Sequence, residues 1–276
     1  MLNLNSSLTY KPNRVVSIVG PSRSGTTIFK HALCMHPDLC SLAGEEEPYY
    51  KLAQNGFPWH NSDEFHVAAN PEVIRMLIAN ELHNYDSSNN RKILQSFGVE
   101  EPPFVDAVEC TAKDTLVLKV PQNCYRRGVM EQLYPGAEIV YIKMTRDHRA
   151  TINGMIDSWE SGMFTARYDI NEPGWWCLDM PPGWSWKTTV LERCTHQLRS
   201  ALKFLSSDYQ DTWSVAYEDF VGDWQTVCGS VWNNLGLSPL VLDPREVLPI
   251  LSATHPPKVD RWKDKRPWLD QVKISL

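Results

Sequence analysis

The chain is 276 residues long, 42% hydrophobic and 22% charged, which excludes a fibrous repeat and an intrinsically disordered chain. A formal charge of -6 and a pI near 5.8 leave no broad basic face for nucleic acid or an anionic membrane, so any anion site has to be local. No apolar run reaches the ~20 residues that span a bilayer, and Met1 to Asn13 lack the charged and apolar blocks of a leader, so a cytoplasmic protein is expected.

The length fits one α/β domain with insertions. We therefore expect a single domain over 1–276, with an N-terminal extension at 1–13 and a tryptophan-rich insert or lid at 160–186. The seven cysteines are odd in number and form no C-x-x-C pair, so buried thiols are expected rather than a metal site or a disulfide framework.

Taken in chain order, Val15 to Val19 is a β-branched run that predicts a buried strand ending at Gly20. Beyond a short loop, Ile28, Phe29, Ala32, Leu33 and Met35 recur at helical spacing until His36-Pro37-Asp38 stops them. Tyr49 to Pro71, rich in aromatic, amide and histidine residues, breaks the rhythm and predicts a long loop. Strands follow at Leu116 to Val120, Glu138 to Met144 and Trp213 to Tyr217. Helical patterns lie between them at Arg126 to Leu133, His148 to Trp159 and Lys187 to Ser206. Met163 to Trp186, with Trp175, Trp176, Trp184 and Trp186 among prolines and glycines, predicts a second lid. Alternating strands and helices give an α/β fold, a three-layer α/β/α arrangement around a parallel sheet whose ligands bind at the carboxyl ends of the strands.

Gly20-Pro21-Ser22-Arg23-Ser24-Gly25-Thr26-Thr27 lies between strand and helix, where backbone N–H groups and the helix N-terminus favour an anion. The spacing matches the nucleotide-triphosphatase loop G-x-x-x-x-G-K-[ST], but Thr26 stands where that loop has lysine, and a cation, Arg23, lies inside the loop instead. ATP hydrolysis and kinase chemistry use the missing lysine on the phosphates. The loop resembles the 5'-phosphosulfate loop of sulfotransferases that use 3'-phosphoadenosine 5'-phosphosulfate (PAPS).

Three further segments carry that resemblance. Leu118-Lys119-Val120-Pro121 looks like the family's second strand motif, which implies that Lys119 faces the sulfate. Tyr134 to Arg149 is similar to the segment whose first arginine, here Arg146, binds the 3'-phosphate. Tyr217-Glu218-Asp219-Phe220 resembles the family's late YEDL motif. The family has proline where His148 stands and serine where Gly154 stands, so the resemblance leaves Asn153 or Ser158 as the second 3'-phosphate ligand. Lys258, Arg261 and Trp262 loosely resemble the basic loop that closes over that phosphate.

The resemblance implies a P-loop-like fold, PAPS as donor and no metal. It also implies an in-line displacement in which Arg23, Lys119 and the loop N–H groups stabilise charge growing on the bridging oxygen. Donor contacts are expected from Ser22, Arg23, Ser24, Gly25, Thr26 and Thr27. The strand carrying Lys119 offers no histidine as base, but Glu45-Glu46-Glu47 does offer carboxylates, as in the family's heparan and tyrosylprotein classes, with Glu45 or Glu46 favoured. His60, His66 and His83 are lone histidines outside the catalytic set. The acidic triplet and the tryptophans suit a small cationic, guanidinium-bearing acceptor, and the chain also resembles the cyanobacterial sulfotransferases of saxitoxin-type alkaloid pathways. A P-loop nucleotide kinase and a non-catalytic nucleotide-binding module are the alternatives.

Overall fold

The computed structural model of the protein describes residues 10–42, 44–46, 71–83, 113–162, 187–241 and 257–273. The Tyr49 loop, the tryptophan-rich insert, Glu47, His60, His66, Cys110, Cys177 and the first nine residues lie outside the described residues, as does the side chain of His83.

Five strands, β1 (Arg14–Val19), β2 (Leu39–Ser41), β3 (Thr115–Lys119), β4 (Glu138–Thr145) and β5 (Trp213–Ala216), form one parallel sheet in the order β2-β3-β1-β4-β5. The helices are α1 (Thr26–Leu33), α2 (Pro71–His83), α3 (Val129–Leu133), α4 (His148–Glu160), α5 (Val190–Ser207), α6 (Tyr217–Gly222), α7 (Trp224–Asn234) and α8 (Arg261–Lys265). Expected boundaries move by one to three residues, and the helix expected from Lys187 starts at Val190. The Arg126 helix starts at Val129 behind a 3-10 turn, Pro121–Tyr125; β3 ends at Lys119; and Tyr217 opens a helix rather than closing a strand.

The sequence of β1 explains its central place. From Val15 to Val19 every residue is buried, as a strand covered on both faces requires. Val15 and Val19 join Leu116, Leu118 and Tyr141 in a core with residues of α2, α3 and α5. Val16 and Ile18 point the other way, joining Val117, Ile142 and Met144 in a core with residues of α1, α6 and α7. Alternation along the strands thus builds two cores on either side of one sheet, and each buried valine or leucine stabilises the fold by roughly 1.5–3 kcal/mol. A third core, with Ile152, Met155, Cys194, Leu198, Trp262 and Leu269, fastens α4, α5 and the C-terminal segment together.

Helix starts follow local chemistry. Asp147 caps α4 by accepting from the Ala150 N–H at 2.9 Å. Thr189 and Glu192 form a capping box at α5. Because all five strands run parallel, Gly20, Leu42, Val120, Arg146 and Tyr217 leave the sheet at the same edge, and that edge carries the site.

Candidate active site

Gly20–Thr27 bridges β1 and α1. Arg23 has φ 67° and Gly25 φ 97°, and α1 starts at Gly25 without a side-chain cap. Its first N–H groups are therefore directed into the loop, the geometry that holds an anion. Gly25 has a second reason to be glycine, since a Cβ there would lie 2.3 Å from Cδ2 of the Tyr217 ring. Ser22, Ser24 and Thr26 are buried, and Thr27 is half-buried. Ser24 Oγ has no hydrogen-bond partner among the described residues, as expected of a donor aimed at a ligand rather than at the fold.

On one side of the loop, β2, β3 and α1 assemble a buried charged group. Lys119, 2% exposed, donates from Nζ to Glu45 Oε1, and its backbone N–H donates to Glu46 Oε2 at 3.1 Å. Asn123 Nδ2 donates to Glu46 Oε1 at 2.8 Å. Glu46 is thus clamped at both oxygens, and burial, reinforced by the charge of Glu45, pushes its carboxyl up to about 7 against the pull of Lys30 and Lys119. Glu45 keeps a partly exposed side chain.

Lys30 holds this group from below. Buried on α1, it donates from Nζ to the carbonyls of Leu42 at 2.8 Å and Gly44 at 2.7 Å, fixing the segment that carries both glutamates. Burial lowers its pKa. His31, beside it, is held well below the ordinary histidine value by burial and by the charges of Lys30 and Lys119, so it stays neutral. Sequence reasoning missed Lys30, although the signal was present: residues 26, 29, 30 and 33 form the buried stripe of α1, and a lysine within such a stripe needs partners.

On the other side, β4, α4 and α6 assemble a cationic group. Arg146 Nη1 donates to the Arg23 carbonyl at 2.8 Å, and its guanidinium lies over the Tyr217 ring, 4.0 Å from the centroid. Burial lowers its pKa, opposed by Tyr217 and Glu218. Arg146 Nε, buried, has no hydrogen-bond partner among the described residues. Glu218 accepts from the Asp147 N–H at 2.9 Å. The Tyr217-Glu218 pair therefore braces both the loop and the end of β4, a role the bare motif did not reveal.

The remaining residues singled out in the sequence fall on α4 and α8. Asn153 Oδ1 accepts from Arg266 Nη1 at 2.6 Å, and the Ser158 hydroxyl donates to the Gly154 carbonyl of its own helix at 3.0 Å. Asp157 takes Arg261, Lys265 and Arg266 together, with Lys265 Nζ at 2.6 Å and Arg266 Nη1 at 2.7 Å. Trp262, buried, belongs to the third core with Arg149 over its ring at 5.4 Å, and Lys258 pairs with Asp264 at 2.6 Å inside its own segment. The structure thus brings Arg23, Arg146 and the loop together at one point and Lys119, Glu45 and Glu46 at a neighbouring one, while α4 carries the C-terminal cations. Among the described residues no three His, Cys, Asp or Glu side chains form a group able to hold a metal ion, and no helix is long and apolar enough to cross a membrane.

A parallel sheet with a glycine-bounded loop between its central strand and a helix, flanked at the same edge by buried Lys119 and half-buried Arg146, defines a phosphate-loop-like α/β fold. Residues 16–240 match the profile of the sulfotransferase family, and the chain belongs to that family. It is an enzyme of sulfuryl transfer. Similar solved structures include the sulfotransferase domain from the Synechococcus PCC 7002 olefin synthase, 14% identical, covering 99% of this chain and 100% of that one with a TM-score of 0.45. The sulfotransferase domain from the curacin biosynthetic pathway is 15% identical over 86% of this chain and 77% of that one, with a TM-score of 0.46. The sulfotransferase from Alicyclobacillus acidocaldarius is 15% identical over 95% and 92%, with a TM-score of 0.40. No curated protein sequence matches this chain.

Proposed function

We propose that this sulfotransferase takes its sulfuryl group from PAPS and transfers it to a hydroxyl or an amine or carbamoyl nitrogen of a small, polar, guanidinium-bearing acceptor of the saxitoxin type. The observation that carries the donor reading is the pairing of a lysine-free loop with buried Lys119 on one side of it and half-buried Arg146 on the other. The acceptor reading rests on Glu45, which keeps a partly exposed carboxylate beside Lys119 for a cationic acceptor to meet. The protein acts in the cytoplasm, as one domain.

In this reading the loop N–H groups, Ser22, Ser24, Gly25, Thr26 and Thr27 hold the phosphosulfate, and Arg146 holds the 3'-phosphate with help from the segment of Lys258, Arg261 and Trp262. Asn153 and Ser158 on α4 support that side. Lys119 meets the charge that grows on the bridging oxygen as the S–O bond breaks, a contact stronger in the transition state than before it. The acceptor lone pair forms the new bond to sulfur, its proton passes to Glu45, and 3'-phosphoadenosine 5'-phosphate leaves.

Glu45 serves as base because its carboxylate sits at Lys119 Nζ and keeps a route to the outside. Glu46 is the positioning residue, since both of its oxygens are taken by Lys119 and Asn123. Calorimetry without metal, using 3'-phosphoadenosine 5'-phosphate and ATP as separate ligands, tests the donor assignment. Tight binding of the bisphosphate alone is expected; preference for ATP, or binding of neither, overturns it. Incubation with PAPS and a panel of hydroxylated and guanidinium compounds, read by mass, tests the acceptor class, and sulfation confined to neutral or anionic compounds refutes it.

A further inference from the structure

Gln122 and Gln197 are both 0% exposed, and neither Nε2 nor Oε1 of either side chain has a hydrogen-bond partner among the described residues. A carboxamide carries two donors and an acceptor, and burying them unpaired costs stability. A fold can carry one such residue as a defect. Two that reach the same junction from different elements point to a shared use.

The junction lies beside Lys119. Gln122 belongs to the 3-10 turn Pro121–Tyr125, which follows β3 at the carboxyl edge of the sheet. Residues three apart in such a turn lie on one face, so Gln122 shares the face of Tyr125. That face meets α5: the Tyr125 hydroxyl donates to the Gln197 carbonyl at 3.3 Å, and its ring stands edge-on to Phe204, 5.2 Å between centroids. Gln197 interrupts the buried stripe of α5 where it passes from the third core, which takes Cys194 and Leu198, to the first, which takes Ala201 and Leu205. An apolar residue there would bury no unpaired group.

The same turn ties the junction to the chemistry. Asn123, next to Gln122, donates from Nδ2 to Glu46, while its Oδ1 has no partner among the described residues. Glu46 adjoins Glu45, which takes Lys119 Nζ. The unpaired atoms are thus uncharged and offer donors together with acceptors. They match a ligand group that presents a donor and an acceptor side by side, as an amide edge does, rather than a charge or a hydrocarbon surface.

We infer that Gln122 and Gln197 form a specificity subsite that hydrogen-bonds an uncharged, amide-like group of the acceptor while Glu45 and Lys119 meet its reacting end. The inference rests on the acceptor reading above and deepens it: Glu45 meets the cationic charge, and the carboxamides read a neutral polar group.

L-arginine amide and L-arginine methyl ester test this as a pair of guanidinium probes, since the ester group has no N–H to donate. Calorimetry on protein saturated with 3'-phosphoadenosine 5'-phosphate is expected to show the amide bound about tenfold or more tightly than the ester. Gln122→Met and Gln197→Met should each bring that ratio below about threefold, with bisphosphate affinity within about threefold of wild type. Methionine removes the unpaired groups at similar volume, so the urea midpoint of each variant should equal or exceed that of wild type. A wild-type ratio near one, or a ratio retained in either variant, overturns the inference. Lowered midpoints in both variants overturn it too, because they make the glutamines structural. Equal binding of the two probes leaves the cationic-acceptor reading standing, whereas sulfation confined to neutral or anionic compounds refutes that reading whatever the ratio.

Discussion

Gly25→Ala tests how the loop is built. At φ 97° an alanine carries the cost of left-handed backbone, roughly 1–2 kcal/mol. Its methyl group would also fall 2.3 Å and 2.6 Å from two atoms of the Tyr217 ring. That ring is 5% exposed and faces Arg146 at 4.0 Å, so it has little room to withdraw, and overpacking of this kind costs about 1–3 kcal/mol. Moving the ring also disturbs the cation-π contact, about 0.5–2 kcal/mol. The variant should lose about 3–5 kcal/mol by urea denaturation, a large part of the ~5–15 kcal/mol that holds a typical domain.

A double-mutant cycle with Tyr217→Ala isolates the collision, because clearing the ring leaves only the backbone cost. The double variant should be more stable than the sum of the single losses by about 1–3 kcal/mol. Additivity within ~0.5 kcal/mol, or a Gly25→Ala loss below ~1 kcal/mol, would refute the account of the loop.

Glu45→Gln should lower kcat about a hundred- to ten-thousandfold with bisphosphate binding nearly unchanged, as removal of a general base does; steady-state kinetics with calorimetry checks this. Glu46 holds its proton to about 7 in the folded state, above the ordinary 4.5, so the stability it adds is complete below 4.5 and disappears as pH rises through about 7. Denaturation across that window should show a slope of at most about 1.4 kcal/mol per pH unit that Glu46→Gln removes. Lys30→Met leaves the Leu42 and Gly44 carbonyls without their buried donor, and should cost about 1–3 kcal/mol of stability while lowering kcat through the displaced Glu45 segment. Asp157→Asn strips the carboxylate from Arg261, Lys265 and buried Arg266; hydrogen exchange and proteolysis should then quicken within residues 257–273, and an unchanged pattern would show that the third core alone holds the segment.

The central strand, its loop and β4 could be read from the sequence because their apolar runs are continuous and bounded by glycine or charge. β2 could not: Leu39–Ser41 is three residues long, too short to show a period. Helix α2 was hidden by its position after the aromatic segment, while α7 was simply missed, although Trp224, Cys228, Val231 and Trp232 do recur at helical spacing. Candidate residues at the site, Arg23, Lys119, Arg146 and the glutamates, came from the loop's departure from the nucleotide-triphosphatase pattern and from the family resemblance. Their division of labour did not, because it depends on contacts between distant positions. Glu46 meets Asn123, Arg23 crosses Gly154 and Asp157 gathers three cations more than a hundred residues downstream. Hydrophobic period carries no information about such pairs.

Helix α4 is read on two sides at once. Gly154 accommodates the loop arginine, while Asn153, Asp157 and Glu160, spaced by four and three residues, receive the C-terminal cations. Each residue turns the helix by about 100°, so removing or adding one between His148 and Asn153 would rotate both contacts off their partners together. Evolution can exchange side chains along this helix singly, but its length has to be inherited whole.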